Sequence, residues 1–290
     1  MKYSKLFGKT LKTAPHDAES TNAELLARAG FVHQEMAGVY SWLPLGLRVL
    51  RKIENIIREE LEAIGAQELL MPALEPKENW EKTGRWNSMD VLMKIKSQTG
   101  KEYALGPTHE EIITPLAAAF IQSYKDLPIA LYQIQTKFRD ELRAKSGVLR
   151  GREFGMKDLY SFHRSAEELA AYYPTVIRAY NEIFTRLGLN ARITEASGGA
   201  FSKKLSHEFH VLTEAGEDRL ILCPNCDFAQ NLEIAAVKAG GKCPKCGGEL
   251  FEAKGIEAGN IFDLGTKFTD VFEVDFTAED GSRKRVHMGC

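Results

Sequence analysis

Arg139 and Glu141 stand two residues apart, and Arg150, Arg152 and Phe154 follow at the same spacing beyond a glycine-bearing stretch, residues 142–149. On strands, that spacing would bring each set to one face. Such a surface offers guanidinium groups that grip phosphate oxygens in pairs. Its benzyl ring gives a purine a flat apolar neighbour, and its carboxylate can accept from an exocyclic amine. These groups suit a nucleotide. An exposed, salt-bridged hairpin would use the same residues, so the stretch alone leaves both readings open.

Four of the five cysteines fall into two pairs, Cys223/Cys226 and Cys243/Cys246, giving C-x2-C-x16-C-x2-C with proline inside each pair. Two such knuckles turn four thiolates toward one ion, and a full set of four closes the tetrahedron of a structural Zn2+. Gly247 and Gly248 allow a tight exit from the second knuckle. Four unligated thiols are the alternative. Lys238, Lys242 and Lys245 beside the knuckles could meet a polyanion, although a solvated face accounts for them as well. No Ser-His-Asp or Cys-His arrangement stands out.

These groups need a scaffold. A chain of 290 residues makes one large domain or two ordinary ones. Hydrophobic residues make up 44% and charged residues 27%, as in globular proteins. No apolar run approaches the roughly 18 residues that span a bilayer, and no apolar stretch follows the basic N-terminus. The expectation is a cytoplasmic protein with no membrane partner. A net charge of −2 excludes a wholesale polybasic binder.

The periodicity predicts a helix over 22–30 capped by Asn22, and a long helix from Pro44 to Ile64 whose apolar face carries Val49, Ile53, Ile56, Ile57 and Leu61. Strands are expected over 67–71, 103–106, 131–141, 151–159, 192–196 and 208–213, with strand pattern again over 261–276. Residues 78–100 read as loop and hairpin. Thr108 caps a helix to Tyr124, with Glu110 in its first turn and Glu111 completing a capping box. A further helix over 165–188 is capped by Ser165. Strands gathered around long helices without regular alternation predict α+β with an antiparallel sheet.

Several ordered segments together resemble one family. FRDE at 138–141 followed by RGREF at 150–154 is similar to motif 2 of the class II aminoacyl-tRNA synthetases, and residues 38–72 resemble their motif 1, ending in a proline at the dimer interface. LGPTHEE at 105–111 resembles the proline-recognising loop of the prolyl-tRNA synthetases, with YQIQTKFRDE, MKDLYSFH and SHEF adding to the likeness. The chain is identified as a member of that family, of bacterial type.

The resemblance implies a class II antiparallel sheet flanked by helices, with a small inserted zinc ribbon. It implies activation of L-proline by ATP with Mg2+ and transfer to tRNA(Pro). Arg139 would bind the α-phosphate, Glu141 and Arg150 the nucleotide, and Phe154 would stack on adenine. Thr108 and Glu110 would hold the imino group of proline, with His207 nearby. FAQNLE at 228–233 resembles YAANIE of the family, which puts Asn231 and Glu233 near ATP. The expected parts are a first catalytic stretch at 1–222, the ribbon at 223–250 and a continued catalytic stretch at 251–290, with a homodimer formed through residues 39–72.

The ribbon stands where many bacterial relatives carry a large editing insertion, and its length cannot hold one. Residues 255–290 lead toward motif 3, so the chain is expected to stop before that motif and before the anticodon-binding domain. A non-catalytic paralogue binding proline, nucleotide or a protein partner is the second reading. A zinc-ribbon nucleic-acid module is the third.

Overall fold

The computed structural model describes every residue except 1, 17, 19, 145, 200 and 202–204. Two compact units emerge, one made of Met1–Glu59, Gln67–Ala119 and Leu131–Leu159, the other of Glu60–Ala66, Phe120–Ala130 and Tyr160–Cys290.

In the first unit the helix Thr21–Arg28 is capped by Ser20, whose hydroxyl accepts from the Ala23 amide. Asn22, the expected cap, lies two residues too far in. Its Oδ1 instead accepts from the Val148 amide at 3.2 Å, tying the helix to the turn Gly147–Leu149. The long helix runs over Pro44–Ala63 as its periodicity predicts. Arg58 joins Glu54 at the i, i+4 spacing and also reaches Glu68.

A three-stranded sheet places Glu102–Leu105 between Leu74–Pro76 and Met93–Lys96. Residues 78–100 are therefore more ordered than their polarity suggests. The helix Lys77–Lys82 inserts Trp80 into a core with Trp86, Leu92 and Ala104. Gln67–Glu68 pairs in parallel with Leu131 and Tyr132 of the long strand Ile129–Phe138, so the sheet is not wholly antiparallel. That strand neighbours Glu153–His163. The helix Glu110–Phe120 starts two residues after Thr108, at the end of the loop that leaves the small sheet.

The second unit is built on a closed five-stranded barrel. Leu205–Leu212 pairs antiparallel with Ala191–Ser197 on one side and with the eleven-residue strand Phe251–Ile261 on the other. Asp218–Leu222 continues from that strand, and Ala229–Asn231 closes the ring through a single parallel bridge, Gln230 to Glu195. The helix Ala166–Arg186 starts at the predicted cap, Ser165, which accepts from the Glu168 amide. Its Tyr180 and Phe184 pack on Phe209 with ring centroids 5.2 and 5.4 Å away.

Residues 261–276 depart from their expected strand pattern. Two short strands, Asp263–Gly265 and Asp275–Thr277, flank a helix over Lys267–Val271, because Gly265 turns the chain at φ +57°. His287–Gly289 pairs with Ser161–His163 and with Asp263–Gly265. Among the described residues, no helix is long and apolar enough to cross a membrane.

Candidate functional site

The geometry around the expected motif 2 corrects the alternation argument while keeping its outcome. The strands end at Phe138 and begin at Glu153, so Arg139, Glu141, Arg150 and Arg152 lie in the connection, outside the strands. The backbone turns tightly at this point, with the Glu141 amide bonded to the Arg139 carbonyl. Arg139 and Arg152 remain paired through the backbone, N to O at 2.8 Å. The Arg152 guanidinium donates to the Glu141 carbonyl at 3.0 Å and to the Ala37 carbonyl at 2.9 Å. Arg150 meets the Glu141 carboxylate at 3.2 Å. Arg139 lies over the ring of Phe154, 5.3 Å from its centroid. The structure thus brings together Arg139, Glu141, Arg150 and Phe154. Residue 145 of the connecting loop lies outside the described residues.

The same guanidinium ties this cluster to the loop after Glu102–Leu105. Arg139 Nη2 donates to the Pro107 carbonyl at 3.5 Å, and the Phe138 amide donates to the Gly106 carbonyl at 3.1 Å. Thr108 and Glu110 follow at once. The Thr108 hydroxyl donates to Glu110 Oε2 at 2.6 Å, so it grips a carboxylate where a helix-capping role was expected.

Glu110 and Glu111 are both buried and share one cation. Arg85 Nη1 lies 3.3 Å from Glu110 Oε2, and 2.9 and 3.0 Å from the two oxygens of Glu111. Thr83 donates to Glu111 as well, at 2.8 Å. Burial pushes the Glu111 acid up to about 7 against the pull of Arg85.

Beneath this loop lies a second buried polar layer. Lys137, fully buried, donates to Asp158 and to Nδ1 of His109. His109 Nε2 faces the Pro72 carbonyl at 3.1 Å, which fixes its proton on Nε2. Burial and the neighbouring Lys137 hold His109 down at about 4, so its ring is neutral. Glu75 is also fully buried. The Trp80 indole donates to its Oε2 at 2.8 Å, and burial raises its acid to about 9. Glu75 is therefore neutral at pH 7.

Sequence reasoning missed Arg85, Glu75 and Asp158, and saw Glu111 only as a cap. A usable signal was present. Gln133, Gln135 and Lys137 share one face of a strand, and three polar residues at that spacing announce a wet or charged inner face. In the structure Gln133 and Gln135 clamp Met71 through its amide and carbonyl.

The remaining expected residues belong to the second unit. His207 Nδ1 lies 3.0 Å from the Tyr173 hydroxyl, which also donates to the Ile261 carbonyl. Burial lowers the pKa of His207. Asn231 donates to Glu208 at 3.4 Å, and Glu233 accepts from the Ser197 amide at 3.2 Å.

Cys223, Cys226, Cys243 and Cys246 converge, with all four Sγ atoms within 4.8 Å of one another. Cys223 and Cys246 are 3.4 Å apart and Cys226 and Cys243 3.6 Å, against about 3.8 Å expected across a zinc–thiolate tetrahedron with bonds near 2.3 Å. The Lys245 amide points at the Cys243 sulfur. A side chain at Gly248 would press on Asn225 at 2.7 Å and on the Cys223 sulfur at 3.3 Å. This donor set fits zinc. Lys245 pairs with Asp227, as a solvated surface lysine would.

Residues 93–290 match the model of the tRNA synthetase class II core domain (G, H, P, S and T). The proline–tRNA ligase of Acidithiobacillus ferrooxidans is 50% identical over 237 residues, which are 81% of this chain and 42% of that protein. That of Lysinibacillus sphaericus is 54% identical over 240 residues, 82% of this chain and 42% of the relative. The chain thus spans about two-fifths of the length of these curated relatives. Among solved structures, the prolyl-tRNA synthetase of Cryptosporidium parvum complexed with halofuginone and AMPPNP superposes with a TM-score of 0.71 at 16% identity. The match covers 92% of this chain and 48% of that one. The enzyme of Giardia lamblia in complex with prolyl-adenylate gives 0.71 at 17% identity, over 91% of this chain and 49% of that one. At such identities the likeness speaks for the fold.

Proposed function

The chain belongs to the class II tRNA synthetase core family, and from that premise we propose that it carries the amino-acid-activating part of a proline–tRNA ligase. In this reading a carboxylate oxygen of L-proline attacks the α-phosphorus of ATP. The bond from that phosphorus to the bridging oxygen breaks, and pyrophosphate leaves with prolyl-adenylate remaining. The prolyl group then passes to a terminal ribose hydroxyl of tRNA(Pro), and AMP departs.

Both partners in the first step are anionic, so catalysis rests on holding them together and neutralising the charge that builds. Arg139 meets the α-phosphate, Arg150 and Glu141 hold the nucleotide, and Phe154 flanks adenine. ATP enters as its Mg2+ complex. Thr108 and Glu110 take the imino group of proline. The observation that carries the reading is the tie between Arg139 and the Pro107 carbonyl, which sets the phosphate-side guanidinium one residue from Thr108. The roles of His207 toward proline, and of Asn231 and Glu233 toward ATP, rest on sequence likeness alone.

The four cysteines hold a structural Zn2+ in this proposal, as the ribbon 223–250 between catalytic stretches 1–222 and 251–290. A homodimer through residues 39–72 agrees with the apolar side chains left exposed there, among them Trp42, Val49 and Leu70. The cytoplasm is the expected location.

Proline-dependent exchange of labelled pyrophosphate into ATP tests the activity. Exchange with proline and loss of it in Arg139→Ala is the expected result. Exchange supported by a different amino acid would overturn the choice of substrate.

A further inference from the structure

Arg152 is tied to backbone in two directions. Its amide donates to the Gly38 carbonyl at 2.7 Å, and its own carbonyl accepts from the Arg139 amide at 2.8 Å. Its guanidinium repeats the pattern, with Nη1 on the Ala37 carbonyl at 2.9 Å and Nε on the Glu141 carbonyl at 3.0 Å. Ala37 and Gly38 are the tip of the hairpin made by Val32–Met36 and Val39–Trp42. Arg139 and Glu141 belong to the turn that carries the nucleotide-site groups. Main chain and side chain of one residue therefore span the same two places.

The tip is shaped for this contact. Gly38 has φ +77°, and a Cβ there would meet Ala144 Cβ at 2.5 Å and the Arg152 amide nitrogen at 2.9 Å. A Cβ at Gly151 would meet the Gly38 carbonyl oxygen at 2.9 Å. The two glycines let hairpin and connection meet backbone to backbone. The Gly38 carbonyl also accepts from the Glu153 amide at 3.3 Å, where the strand bearing Phe154 begins. With its carbonyl held by Arg152, Glu141 starts its side chain from a fixed point, and its carboxylate meets Arg150 at 3.2 Å.

We infer that Arg152 is a positioning residue for nucleotide binding: it fastens the turn bearing Arg139 and Glu141 to the hairpin tip at Ala37 and Gly38, and it is not itself a phosphate ligand. The inference rests on the nucleotide reading of Arg139, Glu141, Arg150 and Phe154, and adds what holds them in place. The chemistry of the head group fits the task. A guanidinium presents its N–H groups in a fixed planar fork that reaches two separate carbonyls, whereas an ammonium is a single point charge.

Calorimetric titration with Mg2+–ATP, and separately with L-proline, tests this. The chains compared are the wild type, Arg152→Met, Arg152→Lys, Gly38→Ala, and Gly38→Ala combined with Arg152→Met. Arg152→Met should weaken ATP binding about tenfold or more, since misplacing active-site groups by about 1 Å can cost on the order of 100-fold. Proline binding should stay as in the wild type. Gly38→Ala alters no group assigned to the nucleotide, yet it should reproduce the loss. The double variant should lose no more than the worse single one, because both changes act on one strut. Arg152→Lys should resemble Arg152→Met, although a lysine beside a phosphate would keep its charge there. Melting curves establish that each variant is folded, and if Gly38→Ala is not, the comparison of Lys with Met at position 152 decides. Losses that multiply in the double variant, or ATP binding largely regained in Arg152→Lys, would make Arg152 a phosphate ligand and overturn the inference. Unchanged ATP affinity in Arg152→Met, or equal weakening of ATP and proline, would also overturn it. A wild-type chain that binds no ATP would instead overturn the nucleotide reading, and this inference with it.

Discussion

Replacing Glu75 by glutamine should change how stability depends on pH, and the structure gives the size of the change. Glu75 is fully buried. Its Oε2 accepts from Trp80, while Oε1 has no hydrogen-bond partner among the described residues and lies 3.5 Å from His109 Nε2. Burial raises the acid from 4.5 to about 9, outweighing the Trp80 bond that favours the anion. The unfolded chain loses this proton near pH 4.5, whereas the folded chain keeps it until about 9. The stability supplied by the protonated acid is thus complete below 4.5 and is lost as pH climbs toward 9. The slope is about 1.4 kcal/mol per pH unit, or about 4 kcal/mol between pH 5 and 8.

Glu75→Gln places a neutral amide of the same size there and keeps an acceptor for Trp80, so it removes this slope. Urea unfolding followed by tryptophan fluorescence, at four pH values from 5 to 8 and constant ionic strength, measures it. The variant should gain on the wild type steadily, ending more stable by several kcal/mol at pH 8. A difference that stays flat to within about 1 kcal/mol would mean that the carboxylate is ionised in the fold, and the reasoning would be refuted.

Two further expectations follow from crowding and from the thiols. A methyl group added at Gly106 would meet Glu75 Oε1 at 2.2 Å and His109 Cε1 at 3.1 Å, so Gly106→Ala should lose about 1–3 kcal/mol in thermal melts; an unchanged melting temperature would show that the loop has room to spare. Elemental analysis of the purified chain should find about one zinc per molecule, and Cys243→Ser should lose it; less than half an ion in the wild type would remove the metal from the proposal.

Much of this was legible because local rules act on neighbouring residues. Ser165 and the long helix from Pro44 obeyed capping and periodicity, and the cysteine spacing named its own geometry. The motif-2 cluster was found for a partly mistaken reason. Strand alternation was invoked for residues that lie past the strand ends, and a tight turn at Arg139 and side-chain bonds from Arg152 did the work instead. Arg85 was invisible because it sits in a polar stretch read as loop, and its partners lie 25 and 26 residues on. Glu75 was hidden likewise, since nothing local says that an acid between Leu74 and Pro76 will end up against Trp80 and His109. The barrel was missed because its closure joins Glu195 to Gln230, a pairing set by tertiary packing alone.

That closure behaves as a latch. Four strands of the ring are held by extended antiparallel ladders, yet the last gap carries a single backbone bridge, joined among the described residues by the Gln230 side chain on Glu195, the Glu233 carboxylate on Ser197 and the Arg192 guanidinium on the Cys223 and Cys226 carbonyls. The segment bearing the latch leaves directly from the first cysteine knuckle, with the Cys223 amide bonded to the Phe228 carbonyl. The closing strand and the cysteine knuckle are thus one connected segment. Hydrogen exchange should accordingly be faster along this seam than along the longer ladders of the ring.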